Sequence, residues 1–261
     1  MNQLKLTNKN IVISAAADGI GWCIAEFCLG EGANVFISDI DEKKIALKKQ
    51  HAKYNKNLFI HKVDTSNSSR VNDYFLELKN NLDSIHALIN NVGIAGPTGK
   101  LEDLKIEEWC KTLDVNINSH FYFTKNAIPF LKINGGTIIN LSSTAGIYGF
   151  PLRTPYAVSK WGIIGLTKSL AMELGEFNIR VNAVCPGSVS GERMQKVIEA
   201  KSKSIGISEN KLQEDYEKMV SLKTFVDKKD IAKMIIFLIS DDAKRISGQV
   251  IAVDGNTERM N

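Results

Sequence analysis

Short apolar runs rich in β-branched residues alternate with longer segments of helical period along nearly the whole chain. An apolar run without polar alternation suits a strand that is covered on both faces. A helix between two such strands requires a right-handed crossover and a parallel pairing. Seven runs qualify as strands, at residues 10–15, 33–38, 58–63, 85–89, 137–141, 179–184 and 249–253. The sequence therefore predicts a doubly wound α/β domain with a seven-stranded parallel sheet.

The segment 190–224 interrupts this alternation. It contains no strand-like run and is rich in Lys, Glu and Ser, and Gly206 separates its two helical stretches, 194–201 and 211–219. Long excursions from a compact domain are usually functional. We therefore interpret 190–224 as a helical substrate-binding lid, with a surface helical insert as the alternative. The remaining length suits one large domain, so we expect a single domain over 1–261.

Composition excludes several classes of protein. Hydrophobic residues make up 44% and charged residues 24%, as in soluble globular proteins. The net charge of +4 is small and dispersed, which gives no indication of nucleic-acid binding. No apolar stretch is long enough to cross a bilayer, and the N-terminus lacks the apolar core of a signal peptide. The four cysteines and four histidines lack metal-site spacing. We expect a cytoplasmic protein with reduced thiols, no metal and no membrane contact.

A turn with two glycines, Gly19 and Gly21, follows the first strand and opens the first helix. At such a helix N-terminus, backbone N–H groups and the helix dipole bind the pyrophosphate of a dinucleotide. Gly19 permits a close approach to phosphate, and Gly21 permits tight helix–strand packing. We expect Ser14, Asp18, Gly19 and Ile20 to contact the cofactor.

Asp39 ends the second strand, 20 residues after Gly19. A carboxylate there accepts hydrogen bonds from the adenosine ribose and repels a 2′-phosphate. Asp18 adds negative charge nearby, and Ile40 supplies no cation to offset it. The pattern therefore favours NAD(H) over NADP(H). The alternative role of Asp39 is to cap the helix that starts at Asp41.

Tyr156 and Lys160 lie four residues apart at the start of a helical segment and share one helix face. A phenol has a pKa of about 10. A cation one turn away and a bound oxidised nicotinamide lower that pKa, which suits Tyr156 to general acid/base catalysis. The pattern Y-x-x-x-K is common by chance, but Ser143 and Asn91 follow strands at the expected ligand edge of the sheet.

In combination, these motifs closely resemble the short-chain dehydrogenase/reductase family. The resemblance runs from Leu6 to Gly255, and Tyr156 lies thirteen residues after Ser143, as in that family. The matching positions, in order, are the glycine turn, Asp64, 90–93, Asn116, Ser143, Tyr156, Lys160, 186–187 and 253–255. The resemblance implies a Rossmann fold and hydride transfer between a nicotinamide cofactor and a secondary alcohol or its ketone.

It also implies a catalytic tetrad of Asn116, Ser143, Tyr156 and Lys160. Tyr156 would exchange a proton with the substrate oxygen, and Lys160 would support it while hydrogen-bonding the nicotinamide ribose. Ser143 would orient and polarise the substrate oxygen, and Asn116 would hold a water that links Lys160 to solvent.

Further cofactor contacts follow from the same resemblance. They would be Asp64 at the adenine, Asn91 at the adenosine ribose, Gly93, Pro186 and Gly187 at the nicotinamide, Val189 at its carboxamide, and Tyr156 and Lys160. Two positions depart from the family pattern. Ala15 stands where glycine is usual, and we expect it to keep a negative φ with a slightly displaced pyrophosphate. Gly191 stands where threonine usually contacts the carboxamide, and Ser188 or Ser190 is the candidate substitute.

Arg153 and Arg193 are candidates to bind a carboxylate, phosphate or sulfonate of the substrate. Solvent-facing surface is the slightly favoured alternative for each. Ile94, Tyr148 and Met194 are candidate apolar walls. These residues suit a small polar secondary alcohol, a sugar or a hydroxy acid slightly better than a steroid.

Two alternative functions remain open from the sequence. One is an NADPH-dependent 3-oxoacyl reductase, against which Asp39 argues. The other is a non-catalytic dinucleotide-binding regulatory protein, against which the intact tetrad argues. The long helical segments 106–133 and 154–177 carry surplus apolar residues. Such helices form subunit interfaces in the family, so a homotetramer or homodimer is implied; core packing alone is the alternative.

Overall fold

The computed structural model describes residues 4–50 and 56–259. Its strands are β1 Asn10–Ile13, β2 Asn34–Asp39, β3 Leu58–Lys62, β4 Ala87–Asn90, β5 Gly136–Leu141, β6 Ile179–Pro186 and β7 Val250–Val253. They form one parallel sheet in the order β3-β2-β1-β4-β5-β6-β7. The predicted doubly wound fold and its seven strands are confirmed, with strand ends that differ from prediction by at most two residues.

Helices connect the strands on both faces of the sheet. They are α1 Gly19–Gly30, α2 Glu42–Lys49, α3 Ser68–Lys79, α4 Ile106–Leu113, α5 Ser119–Leu131, α6 Thr154–Glu173, α7 Glu192–Ile205, α8 Glu209–Lys218 and α9 Lys228–Ile239. A π-helical turn, Asp114–Asn118, joins α4 to α5. The segment predicted as one long helix over 106–133 is therefore two helices with a π turn between them. Turns of this kind occur frequently at functional sites.

Successive residues of each central strand enter different hydrophobic cores. Ile11 and Ile13 of β1 belong to the core under α1 and α9, whereas Val12 belongs to the core under α3, α5 and α6. Ile139 and Ile138 of β5 divide in the same way. Because both faces are covered, these strands are apolar at every position, and this continuity is the signal that revealed them in the sequence.

The segment 190–224, called the insert below, carries α7 and α8 outside the sheet. Both helices are longer than the stretches predicted for them, and Gly206 ends α7 with a φ of +71°. The insert has a small separate core, which consists of Ile198, Leu212, Tyr216 and Met219.

The sheet and the insert meet at a short backbone ladder. The N–H of Ser190 donates to the carbonyl of Val226 over 3.0 Å, and the N–H of Val226 donates to the carbonyl of Ser188 over 2.9 Å. Val189 and Val226 form a parallel bridge between these bonds. The insert is thereby fixed at its base, directly beyond the carboxyl end of β6.

Candidate active site

The turn between β1 and α1 is held by its neighbours in the sheet. The side-chain Nδ2 of Asn91 donates to the carbonyl oxygens of Ser14 (3.0 Å) and Ala15 (2.8 Å). A Cβ on Gly21 would lie 2.5 Å from the same Nδ2 and 2.8 Å from the Ala15 oxygen. The start of α1 therefore packs so closely on the loop after β4 that only glycine fits at position 21.

Ala15 adopts a φ of +50°, so the prediction of a negative φ is wrong. Its carbonyl is held by Asn91, and the next N–H, of Ala16, donates to the carbonyl of Ser38 over 3.0 Å. These bonds fix the chain on both sides of Ala15. They offset the strain of a left-handed alanine, which is about 1 kcal/mol.

Ser14, predicted as a cofactor contact, is fully buried. Its hydroxyl accepts the N–H groups of Asn91 (3.0 Å) and Val92 (3.3 Å). The side chain therefore joins the ends of β1 and β4, and sequence reasoning missed this bracing role.

The N-terminus of α1 is open. Asp18 caps the helix by accepting the N–H of Gly19 over 2.7 Å. Gly19 has a φ of +60°, and nothing lies within 4 Å of the position where its Cβ would be. Together with the half-buried Ile20, this leaves the positive end of the helix accessible to an anionic group such as a pyrophosphate.

The Asp39 carboxylate lies at the carboxyl end of β2. One oxygen accepts the N–H of Ala17 and the other accepts the N–H of Asp41, each over 3.0 Å. A carboxylate oxygen has room for a second donor, so both oxygens can also receive ribose hydroxyls. The N-cap of α2 is Asp41, whose side chain accepts the N–H groups of Lys43 and Lys44. The alternative role of Asp39 as that cap is therefore wrong.

A cation lies near the carboxylates of Asp18 and Asp39. Lys44 Nζ is 2.8 Å from an Asp18 oxygen, and this hydrogen bond is the main reason that the pKa of Asp18 is lowered. The charges of Asp41 and Asp39 also raise the pKa of Lys44. The expectation of an uncompensated negative charge was wrong, because the first turn of α2 brings Lys44 back over the glycine turn.

Two further predicted cofactor residues line the same sheet edge. Asp64 follows β3, and one of its oxygens accepts the N–H and the hydroxyl of Ser66 over 3.0 and 2.7 Å. Gly187 follows β6, and a Cβ there would lie 2.8 Å from the Cβ of Asp254. Pro186 and Gly187 thus pack against the segment after β7.

Tyr156 lies in the first turn of α6, where Pro155 favours helix initiation. Lys160 is one turn further on and is only 3% exposed. Its Nζ donates to the carbonyl of Leu141 over 2.9 Å and lies 5.7 Å from the centre of the Tyr156 ring. Because Leu141 ends β5, the lysine ammonium and the phenol are fixed together at the carboxyl edge of the sheet.

Asn116 lies in the π turn and is fully buried. Its Oδ1 accepts the N–H of Ile94 over 2.7 Å, and its Nδ2 donates to the carbonyl of Ile94 and to the Ser159 hydroxyl, each over 3.0 Å. A Cβ on Gly93 would lie 3.3 Å from Lys160 Nζ and 3.5 Å from Asn116 Oδ1. The amide and the ammonium therefore both border the small space above Gly93.

The two serines after β5 differ in their surroundings. Ser142 is buried, and its hydroxyl donates to the carbonyl of Lys160 over 2.8 Å. Ser143 is half-buried, and its hydroxyl accepts the N–H of Ala145 over 3.2 Å. Ser143 starts the short turn Thr144–Gly146, so its side chain stands at the sheet edge. Ser142 holds α6 against β5, which leaves Ser143 as the serine suited to contact a ligand.

Comparison with known proteins matches this arrangement to one family over almost the whole chain. The model of the family described as enoyl-(acyl carrier protein) reductase, a short-chain dehydrogenase group, matches residues 15–256. This chain belongs to the short-chain dehydrogenase/reductase family. It is an oxidoreductase fold in which the tetrad residues predicted from the sequence lie at one sheet edge.

Individual relatives of this dehydrogenase/reductase differ in activity. A trans-4-hydroxycyclohexanecarboxylate dehydrogenase of Sinomonas cyclohexanicum is 34% identical over 259 residues, which covers 96% of this chain and 93% of that protein. A 3-oxoacyl-(acyl-carrier-protein) reductase of Thermotoga maritima is 32% identical over 254 residues, covering 97% and 98%. A crystal structure of actinorhodin polyketide ketoreductase with NADPH has a TM-score of 0.89 at 26% identity, covering 95% and 96%.

A buried histidine lies under the site of this dehydrogenase/reductase. His120, on α5, is fully buried, and its Nε2 is 3.3 Å from the carbonyl oxygen of Val92. Burial, assisted by the charge of Lys160, lowers the pKa of His120 to about 3. Its ring is therefore neutral in the folded protein. Its position four residues after Asn116, on the same helical face, was a signal for this proximity that sequence reasoning did not use.

The two arginines proposed to bind substrate have different outcomes. Arg153 is only 5% exposed, so the slight preference for a solvent-facing position is wrong. Its guanidinium donates to the carbonyl of Ala95 over 2.6 Å and to the Thr98 hydroxyl over 3.3 Å, which draws it beneath the loop after β4. The side chain of Arg193 lies outside the described part of the structure.

Metal-binding side-chain clusters and membrane-spanning helices are both absent from residues 4–50 and 56–259. Across those ranges, no group of three His, Cys, Asp or Glu side chains converges in a way that would hold a metal ion. None of the helices in the same ranges combines the length and the apolar character needed to cross a bilayer.

Proposed function

We propose that this dehydrogenase/reductase uses NAD(H) to interconvert a secondary alcohol and its ketone, with Tyr156 as the general acid/base. The observation that carries the proposal is the buried ammonium of Lys160, fixed by the Leu141 carbonyl at 5.7 Å from the Tyr156 ring. A positive charge so close to a phenol stabilises the phenolate form. A phenolate at this edge can take the proton of an alcohol that is held above Ser143.

Each tetrad residue has a distinct task in this proposal. Tyr156 accepts the hydroxyl proton during oxidation and returns it during reduction. Ser143 orients the substrate oxygen by donating its hydroxyl hydrogen. Lys160 keeps the phenolate stable, and Asn116 holds the loop at Ile94 and borders the same space above Gly93. The nicotinamide supplies the hydride chemistry when it is bound.

The open first turn of α1 and the carboxylates of Asp39 and Asp64 fit a dinucleotide at this edge. Gly93, Pro186, Gly187 and Val189 fit the nicotinamide end in the same proposal, with Asn91 bracing the turn. Asp39 supports NAD(H), because its charge would oppose a 2′-phosphate. Lys44 weakens this electrostatic preference, although Asp18 engages its ammonium at 2.8 Å. We therefore expect a preference for NAD(H) that is moderate in size.

The substrate would bind between the loop after β4, the loop before α6 and the insert. We propose that the insert acts as a lid. Ile94, Tyr148 and Met194 are half-buried around this space and would form its apolar wall. A small polar alcohol, a sugar or a hydroxy acid suits such a pocket, and the hydroxy-acid dehydrogenase relative supports the last of these.

An NADPH-dependent 3-oxoacyl reductase is the second candidate. The reductase relative of Thermotoga maritima and the ketoreductase solved with NADPH favour it. It requires the opposite cofactor preference, so cofactor titration separates the two. A non-catalytic dinucleotide-binding protein is a third reading, and it predicts no turnover with any alcohol or ketone.

Exposed apolar side chains on α4, α5 and α6 support a homotetramer or homodimer. Ile106 is 75% exposed, and Phe121, Val158 and Trp161 are 49%, 44% and 50% exposed. Where such side chains form one contiguous patch, the patch commonly marks a protein interface.

The experiment has two arms. The first titrates NADH and NADPH separately and then measures oxidation of polyols, 3-hydroxybutanoate and 4-hydroxycyclohexanecarboxylate with NAD⁺ and NADP⁺. The second repeats the productive assay with Tyr156→Phe, which should lower kcat by about 10²–10⁴-fold while NADH binding is kept. Full turnover by the phenylalanine variant would refute the role of Tyr156, and tighter binding of NADPH would refute the NAD(H) assignment.

A further inference from the structure

The Asp39 carboxylate joins two segments of the chain at the cofactor edge of the sheet. One of its oxygens accepts the N–H of Ala17, in the glycine turn, and the other accepts the N–H of Asp41, which caps α2, each over 3.0 Å. These two bonds hold the turn and the start of α2 on either side of the carboxylate. The side chains that follow in each segment are therefore brought together around Asp39.

An ion pair connects the same two segments. Lys44 Nζ lies 2.8 Å from Asp18 Oδ2. Asp18 comes directly after Ala17, and Lys44 is fixed beside Asp41, because its N–H donates to Asp41 Oδ1 over 3.1 Å. The hydrogen bond to Asp18 is the main cause that raises the pKa of Lys44, and the charges of Asp41 and Asp39 raise it as well. The lysine is therefore charged and close to the carboxylate that we expect at the adenosine ribose.

The Asp18 carboxylate is anchored at this position. Its Oδ1 accepts the N–H of Gly19 over 2.7 Å and caps α1, while its Oδ2 accepts the lysine ammonium. The Asp18 side chain is 56% exposed and the Lys44 side chain is 45% exposed. The pair is thus open to a ligand from solvent, but the capping bond prevents Asp18 from turning away.

A 2′-phosphate on the adenosine ribose would meet both members of this pair. Such a phosphate carries about two negative charges at pH 7 and requires a cation. Lys44 supplies one, but Asp18 already accepts its ammonium. If a phosphate draws Lys44 away, the charge-assisted hydrogen bond to Asp18 is lost, and the anchored carboxylate is left unpaired beside the new negative charge.

We propose that Asp18 determines the cofactor preference by withholding the Lys44 ammonium from a 2′-phosphate. This rests on the proposed function, in which NAD(H) is the cofactor. Asp39 excludes the phosphate directly, whereas Asp18 does so by occupying the lysine that would otherwise bind it. A chain with a neutral side chain at position 18 keeps Asp39 but gains a free cation for the 2′-phosphate.

The test compares Asp18→Asn with wild type in two backgrounds, one with Lys44 and one with Lys44→Met. Asparagine is a good N-cap, so the start of α1 is retained. Asp18→Ser, which is also neutral and also caps helices, replaces it if the asparagine variant does not fold. The matched control is Glu199→Gln, because it releases a lysine from an exposed ion pair, Lys203–Glu199 at 2.6 Å, in the insert instead of at the turn.

The measured quantity is the Kd for NADPH divided by the Kd for NADH, from fluorescence titration. Adenosine 2′,5′-bisphosphate and adenosine 5′-monophosphate, used as competing ligands, give the same ratio without the nicotinamide. Both ligands of each pair share their remaining phosphate groups, so the ratio isolates the 2′-phosphate. A merely structural effect on the turn would weaken both ligands of a pair alike and would leave the ratio unchanged.

Wild type should bind NADH more tightly than NADPH. Asp18→Asn should lower the ratio by about tenfold, because a charge-assisted hydrogen bond to the 2′-phosphate becomes available. In the Lys44→Met background, the same substitution should lower the ratio by no more than about threefold, because only the repulsion by Asp18 is removed. Glu199→Gln should match wild type.

An equal change of the ratio in both backgrounds would overturn the inference, since Asp18 would then act through its own charge alone. A ratio that Asp18→Asn leaves unchanged would also overturn it. In both cases a wild type that prefers NADH leaves the proposed cofactor standing. If wild type binds NADPH more tightly, the proposed cofactor and the inference both fail, because Lys44 is then not withheld.

Discussion

The sheet edge and the insert hold their functional side chains in different ways. At the sheet edge, Lys160 and Asn116 are buried and hydrogen-bonded to the backbone at Leu141 and Ile94. In the insert, the buried hydroxyl of Tyr216 has no partner among the described residues. The predicted tetrad residues Lys160 and Asn116 are therefore positioned by the fold itself, whereas no hydrogen bond among the described residues positions the Tyr216 hydroxyl. Substitutions in the insert should therefore leave the hydrogen bonds of Lys160 and Asn116 intact.

The two regions also differ in what stabilises them. The sheet has a large core on each face, but the insert buries only a small cluster around Leu212 and Tyr216. On its surface, Lys203, Lys211 and Lys218 pair with acids one turn away. Exposed ion pairs of this type contribute little to stability. The insert should therefore open at a lower free-energy cost than the sheet.

The largest effect on cofactor binding should come from Gly21→Ala in the sheet region. The new Cβ would lie 2.8 Å from backbone atoms of Ala15 and Ala16, which cannot move aside. We expect the free energy of unfolding to fall by about 1–3 kcal/mol, together with at least tenfold weaker NADH binding, measured by denaturant unfolding and fluorescence titration. Gly30→Ala is the matched control, because nothing lies within 4 Å of its Cβ position. If both variants bind NADH like wild type, the turn is not as rigid as described.

Low pH should lower the free energy of unfolding through His120, which lies under the sheet edge. Its folded pKa of about 3 lies below the value of about 6.5 expected in the unfolded chain. Above pH 6.5, His120 is neutral in both the folded and the unfolded chain, so the free energy of unfolding is not reduced by its titration. As the pH falls from 6.5 toward 3, only the unfolded chain binds a proton at His120, and the free energy of unfolding falls by up to about 1.4 kcal/mol per pH unit.

Denaturant unfolding at pH 7, 6, 5 and 4 measures this loss. His120→Gln can keep the hydrogen bond to the Val92 carbonyl without titrating, so its stability should fall less steeply below pH 6.5. His61 and His86 also have lowered pKa values and remain in both proteins as a common background. If the free energy of unfolding falls equally steeply with pH in the variant and the wild type, His120 is not the group responsible.

The smallest global effect should come from Leu212→Ala in the insert. The matched substitution Leu88→Ala empties a fully buried site on β4 and should cost about 2–5 kcal/mol of global stability. Leu212→Ala should instead raise substrate KM several-fold while shifting the main unfolding transition little, with faster hydrogen exchange confined to α7 and α8. An equal loss of global stability in both variants would mean that sheet and insert unfold as one unit.

Sequence reasoning reached the fold because the strands are apolar at every position, a signal that needs no knowledge of contacts. It also predicted a tetrad from the family spacing of Ser143, Tyr156 and Lys160, and the structure places these residues at one sheet edge. It failed where distant segments decide local structure. The left-handed φ of Ala15 depends on Asn91, and the pairing of Asp18 depends on Lys44. The burial of Arg153 likewise depends on a loop about sixty residues earlier in the chain.

The π turn Asp114–Asn118 changes which side of the helical segment faces the protein, because it holds one residue more than an α-helical turn. Each residue of an α-helix advances the side chains by about 100°. The extra residue in the turn therefore lets α4 and α5 present different sides of the rod to the protein. Removing one residue there would restore a regular helix but would rotate Phe123 and Ala127 out of the core. We therefore expect the packing of α5 to fix the length of this stretch.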